Sequence, residues 1–85
     1  MTRAELDAFL AERGFQVDDA RHPHASDSNH FADLYIGTGK PMADLLRLRN
    51  ELNQLGIDAS IGQGNNPGHP AFGKPFVEVK SFWDE

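Results

Sequence analysis

The chain contains no cysteine, so neither a disulfide nor a thiolate-held metal reinforces its fold. Aromatic residues are few: six Phe, one Tyr and one Trp in 85 residues. No apolar run approaches the roughly 20 residues that a membrane-spanning helix requires. The start, Met1-Thr2-Arg3-Ala4-Glu5, lacks the apolar stretch of a secretory signal. These absences predict a cytoplasmic protein whose core is held by side-chain packing alone. A chain this short forms one domain and buries only about 60–65 % of the surface exposed when it is unfolded. A deep enclosed pocket would remove much of so small a core, which argues against a small-molecule enzyme.

Basic residues are also scarce. Thirteen Asp and Glu face eight Lys and Arg, a net charge of −5. The excess lies at the amino-terminal end, where residues 1–35 hold seven acids and three bases. Such a surface repels phosphate backbones, so direct nucleic-acid binding is not expected. It suits a larger protein with a basic face, and it also keeps a small protein soluble.

Two stretches repeat one device. Thr2-Arg3-Ala4-Glu5 reads as a capping box, followed by Leu6, Phe9, Leu10 and Arg13 at the spacing of one helix face. Gly14 closes that helix, and Phe15–Asp18 leaves as a short strand. The second copy is longer. Pro41 suits a first helical turn, and Met42, Leu45, Leu46, Leu48, Leu52 and Leu55 form a broad apolar stripe. Gly56 then ends the helix, and Ile57, Ala59 and Ile61 alternate with polar residues as a half-buried strand. The repeated units are thus Leu6–Val17 and Leu45–Ile61.

Two further strands follow from alternation, Phe31–Ile36 and Phe76–Phe82. Polar loops, Asp19–Asn29 and Gln63–Pro75, separate the pattern. The order α-β-β-α-β-β predicts an α+β two-layer sandwich, a four-stranded antiparallel sheet with both helices on one face. That is a circular permutation of the ferredoxin-like βαββαβ arrangement. Right-handed connections give strand order 3-4-2-1, with Phe31–Ile36 and Phe76–Phe82 central. The outer strands carry Asp18 and Asp58, charges that blunt edge pairing.

This topology sorts the chemistry-bearing residues. His22, His24, Asp27 and His30 resemble a metal-ligand set, but no helical pair of histidines exists and His69 falls at the other end of the sheet. Solvated loop histidines are the expected reading, with no metal or cofactor. Gly37-Thr38-Gly39-Lys40 fails the phosphate-loop pattern, because Leu34 and Pro41 stand where glycine and Ser or Thr are required. A weaker anion site remains as an alternative there, in which Lys74 and His69 add charge to the turn. No nucleophile elbow and no Ser near a His is present. Asp33 and Glu78, which could face one another on the central strands as paired carboxylates, are expected to be solvated surface acids, so no catalytic residue is assigned.

The face without helices is the more informative surface. Alternation places Phe31, Asp33, Tyr35, Phe76, Glu78, Lys80 and Phe82 on it, rings interleaved with charge. Exposed aromatics on a sheet suggest a docking surface, and the acids argue against stacked RNA bases. The expected function is a non-enzymatic protein-binding module. Its contact residues would be Phe31, Asp33, Tyr35, Phe76, Glu78 and Phe82 of the sheet face, together with Asp18 and Asp19 of the acidic amino-terminal third. In size and charge it is similar to the small acidic inhibitors of nucleic-acid-handling complexes carried by phages and mobile elements. A structural subunit or homodimer, assembling through the sheet, is the remaining expectation.

Overall fold

A computed structural model describes residues 1–21, 31–64 and 73–83. Its elements run α1 (Arg3–Glu12), β1 (Val17–Arg21), β2 (Phe31–Ile36), α2 (Met42–Gln54), β3 (Ala59–Gln63) and β4 (Pro75–Trp83). The four strands pair antiparallel in the order β1-β2-β4-β3, so β2 and β4 are central. The α-β-β-α-β-β sandwich expected from the sequence is the fold observed.

Both helices end in the same hydrogen-bonded closure. At the end of α1, Gly14 N–H donates to the Ala11 carbonyl at 3.1 Å and Phe15 N–H to the Leu10 carbonyl at 2.9 Å. At the end of α2, Gly56 N–H donates to Asn53 and Ile57 N–H to Leu52, each at 3.0 Å. Glycine is required at both places because φ is +77° at Gly14 and +82° at Gly56. The start of α1 is the reciprocal box expected: Glu5 N–H donates to Thr2 Oγ1, and Thr2 N–H donates to Glu5 Oε1. Pro41 departs from expectation. It precedes α2 with extended backbone, and its carbonyl accepts the first helical amides, from Asp44 and Leu45.

Two strands begin later than their alternation suggested. Phe15 and Ile57 complete the helix closures, so β1 starts at Val17 and β3 at Ala59. Residues Asp19, Ala20 and Arg21, expected in a loop, continue β1.

Leu6 and Leu10 of α1 and Leu45, Leu48 and Leu52 of α2 cover Leu34, Ile36, Val77 and Val79 of the central strands, and all nine are buried. Met42, Leu46 and Leu55, expected in the same stripe, remain exposed at 45, 37 and 49 %. The buried arc of α2 is therefore narrower than its leucine content implied. Among the described residues, no helix is long and apolar enough to cross a membrane.

Phe82 corrects the expected face assignment. It is 6 % exposed, packs in the helix-covered core and lies opposite Ala32. The cause is a bulge. Leu34 pairs with Val79 and Ala32 with Phe82, so Lys80 and Ser81 together oppose Asp33. One extra residue inverts the alternation beyond it.

Candidate functional site

Strand register builds in rows the sheet face that the described residues leave uncovered. Asp19, Tyr35, Glu78 and Ser60 lie side by side across all four strands. The next row joins Arg21 to Asp33, and on the other side Phe76 lies opposite Gly62. Tyr35 therefore sits between two carboxylate-bearing neighbours. Its ring meets Phe76 edge-on with centroids 5.2 Å apart. Burial pushes the Tyr35 phenol above its ordinary range, and the nearby Glu78 carboxylate adds to the rise by opposing a second negative charge.

Phe76 belongs to this face yet is only 7 % exposed. Gly62 explains it: a Cβ there would lie 2.7 Å from the Phe76 ring, so the missing side chain is the space the ring fills. Trp83, not singled out from the sequence, is 41 % exposed and stands opposite Phe31 at the end of the sheet. The bulge that turns Phe82 inward restores Trp83 to the uncovered face. The Phe31 side chain lies outside the described residues.

Two of the expected contact acids have structural partners. Asp33 Oδ1 accepts the Ser81 amide at 2.8 Å, holding the bulge. Asp18 is the extra residue of a second bulge, between Val17 and Asp19, and its Oδ2 accepts the Thr38 amide at 2.7 Å. Asp19 instead stays on the sheet face, 3.4 Å from the Arg21 guanidinium. Arg21 also lies over the Tyr35 ring, 5.7 Å from its centroid.

The opposite candidate, the Gly37–Lys40 turn, is brought beside Lys74, whose aliphatic stem passes within 3.6 Å of a Cβ built at Gly39. All four backbone amides of the turn are already engaged. Gly37 donates to Gln16, Thr38 to Asp18, Gly39 to Pro75 and Lys40 to Gly37. The chain's own Asp18 carboxylate is the acceptor for one of these four amides, that of Thr38. His69 lies outside the described residues, as do His22, His24, Asp27 and His30.

Beside this turn, a cleft of about 350 Å³ separates the end of α1 from the start of α2. Phe15, Lys40, Asp44 and Arg47 line it, and Arg13 closes one side by donating from Nε to Glu51 at 2.9 Å. Spacing alone puts Arg13 on the α1 face and assigns it no role. Only the pairing of the two helices reveals that it bridges them. No family model, no curated protein and no solved structure matches the chain.

Proposed function

We propose that the protein is a non-enzymatic binding module that engages a basic surface of a larger protein through its uncovered sheet face. The observation that carries this reading is the row Asp19–Tyr35–Glu78, two acids flanking a half-buried ring, with exposed Trp83 on the same face. Rings supply the apolar contact and the acids select the charge of what docks. Proteins that handle nucleic acid present basic surfaces of that kind, and occupying one would inhibit it.

Charge reversal separates this reading from an anion site at the far end. Tagged wild-type protein is compared with Asp19→Lys/Glu78→Lys and with Lys40→Glu/Lys74→Glu in affinity capture from the source cells. The face reversal should abolish capture of the partner, and the lysine reversal should leave it intact. The opposite pattern would refute the proposal.

A further inference from the structure

The two edges of the sheet differ. β1 is interrupted by the Asp18 bulge and carries Asp19 and Arg21, features that obstruct pairing with another strand. β3 runs in unbroken register along β4. Lys80 N–H donates to Asp58 and Gly64 N–H to Lys74, so the even-numbered residues of β3 bond inward. Ala59, Ile61 and Gln63 must then direct their backbone groups outward. Asn53 of α2 accepts the Ala59 amide at 3.1 Å. The amides and carbonyls of Ile61 and Gln63 have no such partner among the described residues.

The α2 surface above this edge is identified by that same Asn53. One helical stripe contains Met42, Leu46, Arg49 and Asn53, and the exposed Met42 and Leu46 therefore overlook β3. The opposite flank holds Glu51, which is bonded to α1 through Arg13. The chain carries a net −5, yet this stripe holds no carboxylate.

We infer that the protein forms a two-fold dimer in which β3 pairs antiparallel with β3 of a second copy, centred on Gly62. In that register Ile61 of each copy exchanges both backbone hydrogen bonds with Gln63 of the other. Among the described residues, these are the two of the edge with neither outward backbone group bonded. Helix geometry agrees independently. α2 packs on β3 and β4, so joining two β3 strands sets the α2 axes two strand spacings apart, about 9.6 Å. Packed helices lie about 8–10 Å apart. Sheet twist over two spacings, about −40 to −50°, meets the commonest helix crossing angle. From Ala59 to Gly62 is about 10 Å, or six to seven residues back along α2 from Asn53. Leu46 therefore faces Leu46 of the second copy across the axis.

Sedimentation equilibrium of the full chain from about 10 µM to 1 mM tests this, the range suited to a small interface. The mass should rise from 9.4 kDa toward twice that value. Leu46→Glu and Gln63→Pro should each weaken the dimer at least tenfold, and Leu55→Glu, away from the edge, should not. Gln63→Pro removes an outward amide and spares the β4 ladder. Leu46→Cys, the only thiol in its chain, should oxidise to a linked dimer, and this readout decides the matter if either other variant fails to fold. A 9.4 kDa species throughout, or a dimer indifferent to these changes, would overturn the inference.

Discussion

Asp33 and Ser81 meet across the two central strands: the carboxylate on β2 accepts the Ser81 amide on β4 at 2.8 Å. Ser81 has φ +54°, a left-handed conformation that non-glycine residues adopt at a cost. The bond holds a bulge that turns Phe82 into the core. Removing the acceptor with Asp33→Ala should cost about 1 kcal/mol in urea denaturation. Ser81→Val, with a β-branched side chain at positive φ, should cost about 1–2 kcal/mol. Phe82→Ala should cost about 3–5 kcal/mol. A solvent-exposed ring would have been nearly free to remove.

That bulge also marks where the sequence stopped being readable. Helix ends are local: a leucine face, a glycine and a following apolar residue specify the closure within a few positions, and both were legible. Strand faces depend on counting by two, and the count holds only while pairing is regular. Tyr35, Phe76 and Glu78 lie on one side of the irregularity, and counting by two puts them on the face they occupy. Phe82 lies beyond it, and there the count fails. Nothing in Val79-Lys80-Ser81-Phe82 announces the extra residue, because the carboxylate that bonds it, Asp33, lies on another strand. Asp18 is similar, an acid whose partner at Thr38 exists only after the strands align. The α1–α2 cleft was hidden for the same reason, since Arg13 and Glu51 are 38 residues apart.

The glycines should separate backbone strain from crowding. Gly14 and Gly56 have positive φ and open space where a Cβ would stand, so Gly14→Ala and Gly56→Ala should each cost about 1–2 kcal/mol from conformation alone. Gly56→Asn should cost less, since asparagine tolerates that region. Gly37→Ala should cost more than either, because it adds a 2.6 Å approach to the Phe15 ring to a φ of +68°. Gly62→Ala is the complementary case: φ is not positive, and the whole effect comes from the Phe76 ring at 2.7 Å. Pairing it with Phe76→Leu should recover part of the loss. Chemical denaturation of the set checks this order.

Arg13 ties the helices together. Its guanidinium lies 3.6 Å from the centre of the Phe9 ring, donates to the Phe9 carbonyl at 3.0 Å and reaches Glu51 at 2.9 Å. Both side chains of the pair are about one-third exposed, 33 and 37 %, so solvent screens the charge interaction. A double-mutant cycle with Arg13→Ala and Glu51→Ala should give a coupling of about 0.5–1 kcal/mol that shrinks in 1 M salt. Arg13→Ala alone should cost more than the coupling, since it also uncovers Phe9. A salt-independent coupling would mean that packing, not charge, joins the helices.

Tyr35 reports on the uncovered face directly, being the only tyrosine. Burial first, and the Glu78 carboxylate second, hold its phenol above the usual value of 10.0. Between that value and the raised one, the folded protein keeps a proton that the unfolded chain has released. Stability contributed by this group is therefore complete below pH 10 and lost as pH rises through the folded value. Phenolate absorbance should show a midpoint above that of a free tyrosine. Glu78→Gln should lower the midpoint without restoring the free value, because burial remains. Phe76→Ala should lower it further by admitting water to the ring that the T-shaped contact covers. Added salt should mimic part of the Glu78 effect and none of the Phe76 effect. If Glu78→Gln moved the midpoint more than Phe76→Ala, charge rather than burial would govern the face. A docking partner would then be chosen chiefly by its positive potential.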